Sequence, residues 1–266
     1  MFQPHLIFLI VTAVFLSGER SHAEIFRGTK YGYSITIPSN WMVIPAEKVR
    51  EAAELLYDHK GSQKIKVITD AAFQSAQSAE WFEYPYVIVQ VIPYGNYGIN
   101  RQINEDEFNL FIKSMTGVDA AKTIDAALPT ELRELVSDFN FEKPHIDKTR
   151  RRFFVPFMTN ITGVGKVRGL TVGYFGRECI VQVNFYAAEG NWDQHISVGT
   201  SIIDSFRFDL AKEYVAAAAL KPVNRSIWSG VGEKAIVGGI IGVLLMIFFT
   251  VSRLLKSKPH APGNNN

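Results

Sequence analysis

YPYVIVQVI, residues Tyr84–Ile92, has apolar side chains on both faces of a strand. Successive side chains of a β-strand point to opposite sides. The valines at 87, 89 and 91 therefore line one face, while Tyr86, Ile88 and Ile92 line the other. A strand that is apolar on both faces belongs in the middle of a sheet with cover on both sides. This stretch predicts a central sheet packed between two layers.

More strands are predicted on both sides of this stretch. Alternating apolar residues favour a strand at Tyr33–Ile37, a short strand at Lys64–Thr69 and an edge strand at Phe206–Phe208. The chain from 150 to 186 reads as an antiparallel meander with turns at the glycines 163, 165 and 176. Its strands are Arg151–Met158, Val167–Phe175 and Glu178–Tyr186.

Four helices are predicted from apolar residues at helical spacing. One runs from Pro45 to about Asp58, and one from Trp192 to Ser205. Another begins at Asn104, which with Glu107 has the spacing of a capping box. A fourth is expected at about Thr130–Phe139. The predicted fold class is α+β, a central antiparallel sheet with helices on both faces.

Charge and cysteine content exclude some classes of protein. The chain of 266 residues has 28 basic and 26 acidic side chains, so it lacks the basic excess typical of nucleic-acid binding. Its single cysteine, Cys179, excludes an intramolecular disulfide. Cys179 alternates with Val181, Val183 and Phe185, which predicts a buried and inert thiol.

Both ends of the chain carry targeting patterns. Residues 1–23 are predicted to be a signal peptide, because a short apolar stretch precedes small residues at Ser21 and Ala23. The alternative is an uncleaved anchor, since the first five residues contain no Lys or Arg. Residues 235–252 are apolar all round and, as a helix of about 27 Å, match a bilayer core of about 30 Å.

These segments predict a single-pass protein of the inner membrane. The domain, residues 24–210, is expected on the extracytoplasmic, periplasmic side, with residues 211–234 as a stalk and an alanine-rich helix at 211–220. The basic tail 253–266 then stays in the cytoplasm. Gly238 and Gly242 form a G-x-x-x-G pattern that favours a weak homodimer through the anchor, although glycine is common in membrane helices anyway.

No motif for catalysis, a metal or a cofactor is found. Gly165-Lys166 lacks the flanking residues of a phosphate-binding loop, and no G-x-S-x-G occurs. The six histidines show no ligand-like spacing, so no metal and no cofactor are expected. A site assembled from scattered residues is still open, with His145 or His195 next to carboxylates as its candidates.

Two groups of residues are candidates for contact with a partner. Arg150, Arg151 and Arg152, beside Lys148, would attract an anionic partner such as lipid headgroups or an acidic protein face. Their alternative is a solvated strand start paired with Glu142 and Asp147. Tyr94 and Tyr97, in a loop rich in Gly and Asn, could wall a pocket or form a contact surface, or belong to the core.

Two stretches resemble the PsbP-like superfamily. YGYSITIPSNW (Tyr31–Trp41) is similar to its opening strand, and the segment from Trp192 to Phe206 is similar to its closing helix and edge strand. The resemblance implies an α/β/α sandwich and a role in binding or assembly, without catalytic residues that carry over. The chain differs in a helical insertion at about 100–145, and in an anchor where envelope relatives often have a lipidated cysteine.

Two functions are therefore predicted. The first is a membrane-anchored extracytoplasmic binding, scaffold or assembly module with a protein partner in the envelope. Its contact surface would lie near residues 94–100 and the helices at 104–139. The alternative is an envelope enzyme, a hydrolase with a scattered His and carboxylate site.

Overall fold

A sheet of antiparallel strands forms the middle of the domain. The computed structural model describes residues 23–57, 67–97, 99, 101–116 and 136–215. In chain order the strands are β1 (Glu24–Gly28), β2 (Tyr33–Ile37), β3 (Trp41–Val43), β4 (Ile68–Ser75), β5 (Tyr86–Pro93), β6 (Val136–Phe141), β7 (His145–Asp147), β8 (Arg152–Ile161), β9 (Gly165–Phe175), β10 (Cys179–Ala188) and β11 (Arg207–Phe208). The main sheet has eight strands in the order β3-β4-β5-β10-β9-β8-β6, and β7 also pairs with β8.

Strand β5 lies inside this sheet, as the sequence predicts. It pairs with β4 on one side and β10 on the other, and every residue except Pro93 is buried. Val87, Val89 and Val91 pack into one hydrophobic core. Tyr86, Ile88 and Ile92 pack into a second core on the opposite face. The prediction of a two-faced central strand is confirmed.

Helices α1 (Ala46–Tyr57) and α2 (Glu105–Thr116) cover the second core. In α2, Phe108 and Phe111 lie against the ring of Phe175 at centroid distances of 4.8 and 5.0 Å. The predicted capping box is confirmed: the backbone N–H of Glu107 donates to Asn104 Oδ1 at 2.9 Å, and that of Asn104 donates to Glu107 Oε2 at 2.9 Å. These bonds satisfy amide groups that the first helical turn leaves without partners.

The first core is covered by helix α3 (Trp192–Asp204) and by a small sheet of order β1-β2-β11. Tyr33, Ile35 and Ile37 of β2 are buried in it. The ring of Phe206, just before β11, stacks between those of Tyr33 and Tyr174 at 5.5 and 4.2 Å. The fold class is α+β with an antiparallel central sheet, as predicted, but a strand layer shares one face with the helix.

Two glycines in β9 admit aromatic rings from β8. Gly169 pairs with Phe157, and Gly173 pairs with Phe153. A Cβ atom at either glycine would lie 2.1 Å from the ring of its partner. The absence of a side chain at these positions therefore lets the outer edge of each phenylalanine ring lie over the glycine of the neighbouring strand.

Three predicted elements differ in the structure. The helix expected at Thr130–Phe139 is wrong for its described part, because Val136–Phe141 is strand β6, paired with β8. Phe139 and Phe141 share a strand face, where their rings stack at 5.6 Å and pack on Phe157. Strand β4 runs over Ile68–Ser75, beyond the Lys64–Thr69 predicted. Residues 211–215 form a turn and a β-bridge instead of the start of a helix.

Both predicted targeting segments lie outside the described ranges, except residue 23. Within those ranges, no helix is long and apolar enough to cross a membrane. The anchor at 235–252, its glycines Gly238 and Gly242, and most of the stalk therefore stay predictions.

Candidate functional site

The predicted arginine cluster lies in a surface cleft of about 500 Å³ at one end of the main sheet. The start of β8, the end of β9, the end of α3, β11 and the segment after β11 form its walls. We call it the arginine cleft; its lining residues are Thr149, Arg150, Arg151, Arg152, Tyr174, Phe175, Asp204, Phe206, Arg207, Phe208, Glu213 and Tyr214. Four arginines and two carboxylates thus converge on one open surface.

Arg152 connects β8 to the end of α3. Its Nε lies 3.1 Å from Asp147 Oδ2, and its Nη1 lies 2.6 Å from Asp204 Oδ1. Burial lowers the pKa of Arg152, but its bonds to Asp204 and Asp147 outweigh burial and raise it above the ordinary value. With a side chain only 12% exposed, Arg152 has a structural role in the wall of the cleft.

Arg151 lies between two aromatic rings. Its guanidinium carbon is 4.7 Å from the ring centroid of Phe108 on α2 and 4.7 Å from that of Tyr214. It also pairs with Glu105, while its buried Nη1 has no hydrogen-bond partner. The backbone of Arg151 is in the left-handed region, with φ of 49°, which turns the chain into β8. Arg151 therefore joins α2 to the segment that follows β11.

The guanidinium groups of Arg150 and Arg207 are the cations of this cleft that are exposed to solvent. The backbone N–H of Arg150 donates to Asp147 Oδ1 at 3.0 Å, but its guanidinium has no partner in the described domain. Arg207 Nη1 donates to the carbonyl oxygens of Asp204 and Phe206, both at 2.6 Å. Neither forms an ion pair with a described carboxylate, so both can bind an external anion.

Residues 209–215, which we call the exit segment, are held beside this cleft by a β-bridge, an ion pair and hydrogen bonds. Glu213 forms a β-bridge with Gly176, and Lys212 Nζ pairs with Glu178 at 2.7 Å. The backbone N–H of Val215 donates to Gln102 Oε1 at 2.9 Å, and the Gln102 amide donates in turn to the carbonyl of Val215. The last described part of the chain thus leaves the domain at a fixed place.

A second cleft, of about 280 Å³, lies further along β8 and β9. We call it the Trp192 cleft; it is lined by Asn140, Glu142, Pro156, Phe157, Met158, Arg168, Gly169, Glu189 and Trp192. The guanidinium carbon of Arg168 lies 4.9 Å from the ring centroid of Trp192. Arg168 and Tyr174 are six residues apart on β9, so the two clefts are separated by about 20 Å along the strand.

Other predicted site residues have different surroundings. Tyr94 is only 1% exposed, and its hydroxyl donates to the carbonyl of Gly176 at 3.2 Å. This corrects its assignment to a contact surface, since it packs in the core directly after β5. The side chain of Tyr97 lies outside the described part. The solvated-strand alternative for the arginines holds in part, because Arg152 pairs with Asp147, but Arg151 pairs with Glu105 instead of Glu142.

The histidines give the enzyme alternative no support within the described ranges. His145 is exposed on β7, near the ring of Phe154, and His195 is half-buried on α3. Neither is hydrogen-bonded to a described carboxylate, and neither of the two clefts is lined by a histidine. No group of three metal-ligating side chains comes together among the described residues.

Sequence reasoning missed several members of the arginine cleft. Arg207 and Tyr214, which line it, lie far from the cluster in sequence, as do Phe108 and Glu105, which contact Arg151 from outside the lining; only tertiary packing brings them together. The sequence could have predicted an exposed cation at Arg207, because this basic residue lies inside an apolar edge strand and its side chain must point away from the core.

No protein-family model matches the chain, and no curated protein matches its sequence. Among solved structures, it is similar to the cyanobacterial PsbP protein CyanoP from Synechocystis sp. PCC 6803, with a TM-score of 0.43 and 12% identity, over 73% of this chain and 96% of that one. It is also similar to LpqN, involved in cell envelope biogenesis of Mycobacterium tuberculosis, with a TM-score of 0.35 and 13% identity, over 70% and 89%.

A third similar structure is the Saccharomyces cerevisiae Ran-binding protein Mog1p, with a TM-score of 0.32 and 9% identity, over 71% of this chain and 96% of that one. At such identities the similarity concerns the fold alone and assigns neither a function nor a site residue.

Proposed function

We propose that this chain is a membrane-anchored extracytoplasmic binding or assembly module that presents its domain to a protein partner in the envelope. The observation that carries the proposal is the Trp192 cleft, an open concavity in which Arg168 stacks on Trp192. Trp and Arg are enriched among the residues that contribute most to protein–protein binding. Trp192 is 9% exposed and packs on Phe185, so the half-buried Arg168, held over its ring on β9, is the group that a partner can reach with little ordering.

The Trp192 cleft is also well placed for a partner. Helix α3 begins at Trp192 in this cleft and ends at Asp204 in the arginine cleft, a separation of about 18 Å. The exit segment, which leads to the predicted anchor, lies at the Asp204 end. In an anchored protein, the Trp192 cleft therefore lies away from the point of attachment and is accessible to another envelope protein.

The membrane placement rests on the predicted segments. The signal peptide at 1–23 and the anchor at 235–252 place the domain outside the inner membrane, and the basic tail 253–266 inside. Alkaline extraction of native membranes tests this directly, because an integral protein stays with the lipid and a peripheral one is released. Release of the chain at high pH would refute the anchor.

Site-specific photocrosslinking in native membranes tests the partner. A photoreactive residue in place of Glu142, which is exposed at the rim of the Trp192 cleft, should yield one dominant envelope protein. The matched control has the same residue in place of Glu54, which is exposed on α1. The contact surface predicted at residues 104–139 cannot be tested by deleting that region, because Phe108 and Phe111 of α2 are core residues and the domain would lose part of its core.

The crosslink from residue 142 should be lost when Arg168 is changed to Glu, and position 54 should capture nothing specific. Equal capture from both positions, or no capture from 142, would overturn the assignment of the Trp192 cleft as the partner site.

A further inference from the structure

The arginine cleft combines three features that the proposed protein contact does not use. It has exposed cations, it is lined in part by an exit segment that carries exposed apolar side chains, and this segment leads toward the predicted anchor. Arg150 and Arg207 are the exposed cations without a described carboxylate partner. Asp204 is already held by Arg152, which leaves Glu213 as the unpaired carboxylate among the described lining residues. Two guanidinium groups without an ion pair thus face one unpaired carboxylate, while Glu105, Asp147 and Asp204 balance the charges of Arg151 and Arg152.

The exit segment provides the apolar side chains. Leu210 is 87% exposed and Val215 is 49% exposed; Val215 directly follows the lining residue Tyr214, and Leu210 lies two residues after the lining residue Phe208. The other large apolar side chains exposed in the described domain are Ile25 and Val43. Exposed apolar residues beside basic ones are typical of a surface that lies on a bilayer, where the former enter the headgroup region and the latter meet phosphate.

The length of the stalk keeps this surface near the bilayer. Nineteen residues lie between Val215 and Ala235, the first residue of the predicted anchor. They span about 30 Å as a helix and at most about 70 Å when extended. Headgroups are therefore at high effective concentration around the cleft.

We propose that the arginine cleft docks on the bilayer and binds the phosphate of an anionic phospholipid headgroup, with Leu210 and Val215 entering the interface. The proposal rests on the membrane anchoring proposed above. Guanidinium groups bind phosphate oxygens through paired hydrogen bonds, which suits Arg150 and Arg207. A lipid is favoured over an acidic protein because the exposed apolar residues Leu210 and Val215 belong to the exit segment itself, which leads toward the predicted anchor.

The test uses the full chain reconstituted into nanodiscs. Leu210→Cys provides a labelling site for an environment-sensitive fluorophore, and Cys179, which is 4% exposed, stays unlabelled in the folded protein. The nanodiscs contain phosphatidylcholine alone or with phosphatidylglycerol. We expect the fluorophore emission to shift to shorter wavelength when phosphatidylglycerol is present, because the label enters an apolar environment.

Charge variants identify the groups responsible. Arg150→Glu with Arg207→Glu should lower the ratio of docked to undocked protein at least about 25-fold, since each basic residue near an anionic surface contributes about five-fold. Arg50→Glu with Lys166→Glu changes the net charge equally at exposed sites away from the cleft, and should leave the ratio unchanged. Glu213→Gln should raise it, a gain that misfolding cannot produce.

Three results would overturn the proposal. The first is a label that stays in water in both kinds of nanodisc, which is also the result expected if the occupant were an acidic protein. The control pair lowers docking as much as the cleft pair, which would mean attraction by net charge alone. Soluble glycerol phosphate protects Arg150 from phenylglyoxal while no label shift occurs, which would assign the cleft to a soluble ligand. Incorporation into nanodiscs and the crosslink from residue 142 report on the anchor and the partner site separately.

Discussion

The contact between Gly173 and Phe153 allows a quantitative test of how the central sheet is packed. A Cβ atom at Gly173 would lie 2.1 Å from the Phe153 ring. This ring cannot move aside easily, because it is fully buried and packs against Phe111 and Phe175 at 5.6 and 5.9 Å. We therefore expect Gly173→Ala to destabilise the domain by about 1–3 kcal/mol, the range for overpacked cores. For a chain of this size, the midpoint of thermal unfolding should fall by about 2–12 °C.

Two further glycines separate this steric effect from backbone effects. A Cβ atom at Gly190 would meet no atom within 4 Å, so Gly190→Ala should be neutral or slightly stabilising, by up to about 1 kcal/mol. Gly165 has equally open space but a φ of +95°, so Gly165→Ala should destabilise by about 1–2 kcal/mol through backbone strain alone. Near-UV circular dichroism on heating measures all three variants.

A double variant completes the test. Phe153→Leu shortens the side chain that Gly173→Ala would meet, so the two changes together should cost less than the sum of the single changes, by about 1 kcal/mol or more. The reasoning is refuted if Gly173→Ala is as stable as Gly190→Ala, or if the double variant shows simple additivity. Either result would mean that β8 and β9 can move apart with little loss in the free energy of unfolding.

Other parts of the domain give further tests. Asn104→Ala should lower stability by about 1 kcal/mol, because the capping bond to Glu107 is lost; Asn104→Asp should retain most of it, and equal losses would contradict the cap. Burial raises the pKa of the Cys179 thiol to about 12, so a thiol reagent at neutral pH should label it only after unfolding, and labelling of the native protein would disprove its burial. The backbone N–H of Arg150 and the guanidinium of Arg152 hold the pKa of Asp147 below its ordinary value. Its contribution to stability should thus be present above about pH 4 and be lost as the pH falls further, and Asp147→Asn should remove that part of the acid dependence.

The central strand and the capping box could be predicted because each depends on local pattern. In β5 the alternation of Val87, Val89 and Val91 is enough to assign a face, whatever packs against it. Asn104 and Glu107 form their bonds within a single helical turn. In such cases the local interactions favour the same conformation as the tertiary structure.

The misassigned segment 136–141 shows where local pattern is insufficient. Val136 and Phe139 fit a helical stripe, yet Phe139 and Phe141 also fit a strand face. The choice is made by the ring of Phe157 on β8, which no local window contains. Tyr94 is a similar case, because its burial depends on the carbonyl of Gly176, far away in sequence.

The sequence predicted the arginine cluster, but it did not predict that these residues line a cleft. Arg150, Arg151 and Arg152 are adjacent in sequence, yet the structure gives them different roles. Arg152 is held by Asp204, Arg151 lies between two rings, and Arg150 is open to solvent. Sequence spacing cannot distinguish these roles, since the partners come from α2, α3 and the exit segment.

The fastening of the exit segment has a mechanical consequence. A pull on the chain beyond Val215 reaches the domain through Gln102, which holds both backbone groups of that residue, and through the bridge between Gly176 and Glu213. The load is therefore shared between the approach to α2 and the turn joining β9 to β10, and β11 is shielded from it. Tension on the chain beyond Val215 would thus reach the central strands of the sheet, and would have to break several hydrogen bonds at once before the short outer strand β11 could separate.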